Sequence, residues 1–405
     1  MTHGRYSESS TVQKHVMMFS QVDVWSYPTR NNPFMDILVS PDFLPTLSKL
    51  LKSSHLDYHI VIKNVGQEIK YSQGKRVRRR ASTTHQAAPP FPLDDYHSFE
   101  RIETWLRQLN SSHPHRFHLS SIGTTAEGRQ LWLAKIGSSA RNSHASEKKP
   151  AIFIDAGLHA REWISHATAL YIIRQLLHNA TDLLALQNID WYIVPVANPD
   201  GYVYSQTIDR LWRKSRSVYS RSRPSSVHYV CRGVDINRNF DYHWGEAGAN
   251  TMNPCSNIYA GAHPFSEIET EALASKLRHL APSLKAYVSL HSYGQLWLVP
   301  WGYHSQKPDN YPRQSQMALK ALEALRRVNQ TEYTFGTIAD LMYPASGTSV
   351  DYAHSLGIPF AIALELRPED SDYSHGFLYP AEYILPTGRE TFEAFKEMAK
   401  EMNNF

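Results

Sequence analysis

His159 and Glu162 stand three residues apart in His159-Ala-Arg-Glu162, a spacing that can bring an imidazole nitrogen and a carboxylate oxygen to one ion. Zinc accepts both atom types, and a catalytic zinc takes three protein ligands and leaves a fourth position open. Alone, this pair is a pattern that arises often by chance. His291 adds weight as a third candidate ligand, because it closes the apolar run Lys285-Ala-Tyr-Val-Ser-Leu290. Glu365, inside the apolar run from Phe360 to Leu366, offers a carboxylate suited to moving a proton. Asn198 and Asp200 follow a further apolar run, Trp191-Tyr-Ile-Val-Pro-Val196.

Positioning such groups requires a frame. Ala151-Ile-Phe-Ile-Asp-Ala156 is almost continuously apolar, as expected of a strand buried on both faces. A helix is expected over Ser165 to Asn179, with Leu170, Ile173 and Leu177 on one side. Further helical stretches fall near 266–280, 313–328, 348–356 and 387–402. Alternating strands and helices predict an α/β fold with a mixed, largely parallel central sheet and helices on both faces. Ligands in such sheets gather where the strands end. The candidate residues lie at or near those ends.

Upstream the pattern changes. Residues 21–68 read as a small α+β unit, with strands at Gln21–Trp25, Phe34–Val39 and Asp57–Ile62 and a helix over Phe43–Leu51. Residues 69–93 have linker composition and contain Lys75-Arg-Val-Arg-Arg-Arg80, a natural proteolysis site. Residues 1–20 are polar and divergent, and residues 94–405 form the main domain.

The 405 residues are 42% hydrophobic and 20% charged, which is globular composition. Lys plus Arg number 42 against 38 Asp plus Glu, for a net charge of +4. The single dense basic run is local, so no nucleic-acid partner is expected. No stretch reaches the ~18 apolar residues of a membrane span, and the first twenty residues lack the apolar core of a secretory signal. Two cysteines, Cys231 and Cys255, are too few for a disulfide scaffold; two free thiols or one bridge both fit.

Four motifs, His159-Ala-Arg-Glu-Trp163, Val234-Asp-Ile-Asn-Arg-Asn239, Ser289-Leu-His-Ser-Tyr293 and Leu364-Glu-Leu-Arg367, occur in one order. Together they resemble the zinc metallocarboxypeptidases of the pancreatic A/B type, over essentially all of 94–405 and more faintly over 21–65. The resemblance implies one zinc ion per chain on His159, Glu162 and His291. It makes Glu365 the general base and then acid, with Arg367 as its alternative ion-pair partner. Arg213 becomes the oxyanion-stabilising arginine, with Arg210 and Arg216 as weaker candidates. Asn237, Arg238 and Tyr343 would hold the terminal carboxylate of a substrate, where a guanidinium gives paired, charge-assisted hydrogen bonds. Arg161, Tyr293 and Phe377 would line outer positions, and Asp235 would orient the first histidine. Cys231 and Cys255 match a disulfide of that family.

Specificity would rest on Val350, which falls at the family's pocket-floor position. An apolar floor disfavours Lys or Arg, because a buried ammonium would lack a partner. Leu298, Met342, Ala345 and Ala363 also fall at pocket positions, and Thr348 stands where the familiar A-type pattern has Gly. The implied activity is removal of aliphatic or aromatic C-terminal residues from peptides and proteins. The alternatives are B-type specificity for Lys or Arg, or a catalytically dead peptide-binding relative.

The resemblance also implies a secreted, monomeric zymogen. Its ferredoxin-like pro-domain would be cleaved near 75–80 by a trypsin-like or dibasic-convertase protease. Against that pattern, the first strand and first helix of the pro-domain are expected to be missing, as is a signal peptide. The family often has a cis peptide after the residue matching Arg367, and Pro368 favours the same geometry by lowering the cost of a cis bond to ~0.5–1 kcal/mol.

Overall fold

A computed structural model describes residues 2–7, 22–26, 34–71, 91–137, 149–178, 186, 188–218, 231–369 and 375–403. The basic run at 75–80 lies outside them, as do the stretch between the first two strands of the N-terminal unit, where a first helix is expected to be missing, and the sequence between Arg213 and Cys231 beyond residue 218.

Eight strands form the main sheet in the order β11-β10-β12-β9-β7-β8-β6-β5. They are β5 (Phe117–Thr124), β6 (Gln130–Ile136), β7 (Ala151–Ala156), β8 (Asp190–Val194), β9 (Leu284–Gly294), β10 (Leu296–Val299), β11 (Thr334–Thr337) and β12 (Phe360–Glu369). The central run β12-β9-β7-β8 is parallel, while β10 and β6 join it antiparallel. The sheet is therefore mixed and largely parallel, as the alternation of elements predicted.

Strand β7 shows why its sequence reads as unbroken apolar residues. Ile152, Ile154 and Ala156 join one core cluster, and Ala151 and Phe153 join another on the opposite face. The first cluster is completed by α2 (Phe99–Ser112), α3 (Trp163–His178), α6 (Tyr311–Asn329) and α9 (Ile384–Asn403). The second takes α5 (Ile268–Leu280), α7 (Ile338–Leu341) and α8 (Ser349–Ser355). Local signals set the helix starts: Ser98 caps α2 by accepting from Arg101 N at 3.3 Å, and Thr348 caps α8 by accepting from Asp351 N at 3.2 Å. No helix among the described residues is long and apolar enough to cross a membrane.

The N-terminal unit corrects one expectation. Its first strand is present: β1 (Thr2–Ser7) pairs antiparallel with β3 (Phe34–Val39) and β4 (Tyr58–Ile62), giving the order β2-β3-β1-β4 with β2 at Val22–Ser26. Thr-His-Gly-Arg-Tyr-Ser lacks the apolar alternation that flags a strand, and the pairing of both its edges makes it one. On β3, Met35, Ile37 and Val39 pack on α1 (Leu44–Ser53), while Leu38 joins Trp25, Tyr293 and Phe377 on the other face. That second face covers the mouth of the main domain's cleft.

Candidate metal centre and its cleft

Strand β7 leads into the site through a sharp turn. Gly157 sits at φ +74°, where a Cβ would strike the His166 ring, so glycine is required there. The chain beyond it delivers His159 and Glu162 before α3 begins. Asn198, which caps α4 (Pro199–Thr207), clamps this loop: its Nδ2 donates to Leu158 O at 3.2 Å and to Lys214 O at 3.0 Å. Ala160 N also donates to Arg213 O at 3.0 Å. Asn198 therefore fixes the segments that carry His159 and Arg213. Asp200 is structural too, accepting from Thr125, Glu127 and Arg129.

His291, on β9, comes alongside. His159 Nδ1 is 2.7 Å from Glu162 Oε1, His291 Nδ1 is 3.0 Å from Glu162 Oε2, and the two Nδ1 atoms are 3.1 Å apart. Ligand atoms from all three buried residues fall within 4.8 Å of one another. Both Nε2 atoms face away, His159 to Asp235 Oδ1 at 3.1 Å and His291 to Ser289 Oγ at 3.0 Å. Asp235 and Glu162 are both acceptors, so with a cation at Nδ1 in place of a proton, His159 keeps its proton on Nε2 and donates it to Asp235. Two ring nitrogens and a carboxylate aimed at one point form an electron-rich cluster that a cation completes. The two-nitrogen, one-oxygen donor set suits zinc.

The charges around the cluster fit that role. Burial, reinforced by Arg213, pushes the His159 pKa down, against the upward pull of Glu162 and Asp235. Burial opposes charge on His291 as well, but Glu162, with Glu365 and Asp155, together offset it and the net shift is upward. Burial would raise the Asp235 carboxyl, yet Arg213 and His159 hold it well below the usual carboxylate range.

Asp235 is a hub. Oδ1 accepts from Asn237 N at 3.0 Å besides facing His159, and Oδ2 accepts from Arg213 Nη2 at 2.9 Å. Arg213 Nη1 lies 3.9 Å from Glu162 Oε1, beside the centre. Glu365 pairs in register with His291 across β12 and β9, which brings its carboxylate into the same cleft. Arg367 turns elsewhere, its Nε donating to Glu390 Oε1 at 2.7 Å. The Arg367–Pro368 bond is cis.

A cleft runs from this centre. Asn237, Arg238 and Tyr343 line it together. Asn237 Oδ1 accepts from Ser349 N at 2.9 Å, and Arg238 is braced by Gly248 O and Asn237 O, each at 2.8 Å. The Arg238 Nη2 reaches the Tyr343 hydroxyl at 3.2 Å. Beyond them the walls are Leu296, Leu298, Ile338, Met342, Ala345 and Ala363, with Thr348. Arg161, Tyr293 and Phe377 line the outer part, with Trp25 of β2 set edge-on to Phe377 at 5.3 Å.

Val350, expected at the pocket floor, is fully buried in the apolar cluster that also holds the cleft-wall residues Leu298, Ala345 and Ala363. It sits in the first turn of α8, and the capping Thr348 lines the cleft. Arg210 and Arg216 do not line it. Arg210 lies over Trp163 and donates to Arg161 O and Phe377 O, and Arg216 lies over Tyr204 and Trp212. Cys231 and Cys255 are joined in a disulfide with Cα atoms 5.0 Å apart, closing a loop that carries Asp235, Asn237 and Arg238.

Sequence reasoning missed three residues here. Asp155 on β7 and Tyr287 and Ser289 on β9 form a buried hydrogen-bonded group next to His291. A lone carboxylate in an otherwise apolar strand was the available signal.

Comparisons with known proteins agree with this architecture. A family model described as zinc carboxypeptidase matches residues 102–394, and one described as carboxypeptidase activation peptide matches residues 11–72. Zinc carboxypeptidase A 1 of Anopheles gambiae is 37% identical over 369 residues, covering 90% of this chain and 80% of that protein. Carboxypeptidase B of Astacus astacus is 41% identical over 306 residues, covering 75% of this chain and 96% of that protein. The crystal structure of the carboxypeptidase A from Helicoverpa armigera superposes with a TM-score of 0.87 at 28% identity, covering 98% of this chain and 96% of that one.

Proposed function

The chain belongs to the zinc carboxypeptidase family and carries that family's activation peptide, and on this basis we propose that it is an A-type exopeptidase, removing aliphatic or aromatic C-terminal residues once its N-terminal unit is cleaved away. One observation carries the specificity reading. The inner walls of the cleft are Leu296, Leu298, Ile338, Met342, Ala345 and Ala363, and among the described residues lining it the only carboxylates are Glu162 and Glu365. Both belong to the metal centre and the proton-transfer position, which leaves a substrate ammonium without a partner at the apolar end.

In this reading His159, Glu162 and His291 hold the ion, which when bound supplies Lewis acidity that polarises a carbonyl and acidifies water. Glu365 takes a proton from the attacking water and returns it to the departing amine. Arg213, steadied by Asp235, faces the oxygen on which negative charge develops. Asn237, Arg238 and Tyr343 hold the free carboxylate that marks a chain end. Arg161, Tyr293 and Phe377 meet residues further along the peptide. Division into an activation unit, a linker cut within 75–80 and a catalytic domain at 94–405 completes the reading, together with secretion as a monomer.

The test cleaves the full chain after the basic run and incubates it with matched peptides ending in Phe, Leu, Lys or Glu, with and without a zinc chelator. Release of Phe or Leu, abolished by the chelator, is expected. Preferential release of Lys would replace the A-type reading with the B-type. No release from any peptide by the zinc-loaded chain would make it a non-catalytic peptide binder.

A further inference from the structure

Two histidines face the metal centre, and each is gripped from behind. For His159 the grip is direct, through Asp235. For His291 the atom behind Nε2 is the Ser289 hydroxyl at 3.0 Å, and that hydroxyl donates to Asp155 Oδ1 at 2.7 Å. The Tyr287 hydroxyl donates to the other Asp155 oxygen. Asp155 is fully buried and pairs in register with Ser289 across β7 and β9. Tyr287, Ser289 and His291 alternate along β9, so all three leave the same face of the sheet.

We propose that Asp155 is a positioning residue for the metal centre, acting on His291 through Ser289. The argument is a proton count. Serine has one hydroxyl proton, and it goes to Asp155, which as a carboxylate can only accept. The lone pairs of Ser289 Oγ then receive the Nε2 proton of His291. Nδ1 faces Glu162 and His159, and with a bound cation there in place of a proton this Nε2–H tautomer is the one a ligand requires. The negative charge of Asp155 is thereby transmitted to the ring, which raises its basicity as a ligand. Asn237 Nδ2 also lies 3.4 Å from Nε2, but it is a donor and farther away, with the amide oriented by Ser349 N on its oxygen. Once Nδ1 is a ligand, the shorter Ser289 contact is therefore the one that receives the Nε2 proton. The two histidines are in this way oriented by two carboxylates, one in contact and one at a single remove.

This inference rests on the assignment of zinc to His159, Glu162 and His291, and the experiment separates the two. Zinc affinity of the full chain is measured by competition with a chromophoric chelator, alongside the melting temperature of the metal-free protein. The unsubstituted chain binding no zinc at one per chain would defeat the ligand assignment itself. With tight binding in hand, Ser289→Ala is expected to weaken zinc affinity about 10–100-fold, the usual cost of removing a group behind a ligand. Tyr287→Phe, which leaves the serine bridge intact, is expected to weaken it less than about threefold, well below that range. Asp155→Asn combined with Ser289→Ala should cost little more than either alone, since both break one chain of bonds. Unchanged zinc affinity in Ser289→Ala, with only the melting temperature altered, would reduce the group to a structural one. Equal losses in Tyr287→Phe and Ser289→Ala, or additive losses in the double variant, would also overturn the proposal. Should Asp155→Asn fail to fold, the comparison of Ser289→Ala with Tyr287→Phe decides the matter.

Discussion

Asp23 of strand β2 and Arg161 of the cleft form an ion pair, Oδ2 to Nη1 at 2.5 Å, although 138 residues separate them in sequence. The second Asp23 oxygen accepts from Asn257 Nδ2 at 2.6 Å, and the Arg161 guanidinium lies 4.1 Å from the centre of the Phe377 ring. The activation unit thus occupies an arginine that lines the cleft. A hydrogen bond to a charged group contributes about 1.5–3 kcal/mol. Asp23→Asn in the uncleaved chain is therefore expected to raise residual hydrolysis of a small blocked dipeptide about tenfold, equivalent to ~1.4 kcal/mol. The same rate in both proteins would show that the ion pair does not guard the cleft.

Thr348 combines two jobs, capping α8 and narrowing the cleft wall. Replacing a capping residue by glycine costs only a few tenths of a kcal/mol. Removing its side chain enlarges the apolar end by more than one methylene, and one methylene changes discrimination by about 1–3 kcal/mol. Thr348→Gly should therefore improve kcat/KM for a C-terminal Trp relative to Leu by about tenfold, at the lower end of that range. Parallel kinetics on the two peptides check this, and an unaltered ratio would place the size limit elsewhere.

Arg213 is held by Asp235 through both Nε and Nη2, at 3.2 and 2.9 Å, so its direction is set before any substrate arrives. If it acts on developing charge, its loss should appear in the turnover rate rather than in binding. Arg213→Gln is expected to lower kcat by about 10²–10³-fold with KM little changed. A raised KM with kcat retained would instead make it a binding residue.

Glu269, in the first turn of α5, is buried, and burial pushes its pKa up to about 8, with Glu267 and Asp200 adding to the shift. The folded chain keeps a proton that the unfolded chain releases above its ordinary value of 4.5. In that window the folded state binds more protons, so this contribution to stability is full at low pH and falls as pH rises through about 8. Glu269→Gln should raise the melting temperature above pH 8 and leave it nearly unchanged near pH 4. Thermal melts across that range test the sign; a variant that melts lower at pH 9 would contradict it.

Much of the site was legible because its residues interrupt apolar strands. His291 and Glu365 stand out in their runs, and the motif order carried Arg213, Asn237, Arg238 and Tyr343 to positions that the fold brings to one cleft. Val350 was placed by motif position alone, and the fold packs it with the cleft-wall residues Leu298, Ala345 and Ala363. Asp155 escaped notice because a strand buried on both faces has no visible inside. The edge strand β5 was missed for a different reason. Segments such as His118, Ser120 and Ser121 are exposed or half-buried and carry little apolar signal, and antiparallel pairing with neighbours defines them. The polar β1 was hidden in the same way.

The alternation of Tyr287, Ser289 and His291 on β9 makes the centre a matter of parity. Across β7 and β12, Asp155 stands opposite Ser289 and Glu365 opposite His291. An insertion or deletion of one residue within β9 would swap odd for even and send the whole set into the opposite core, where Ala286, Val288 and Leu290 now pack. Single substitutions can therefore tune this centre gradually, but changes in strand length can only keep it whole or abolish it.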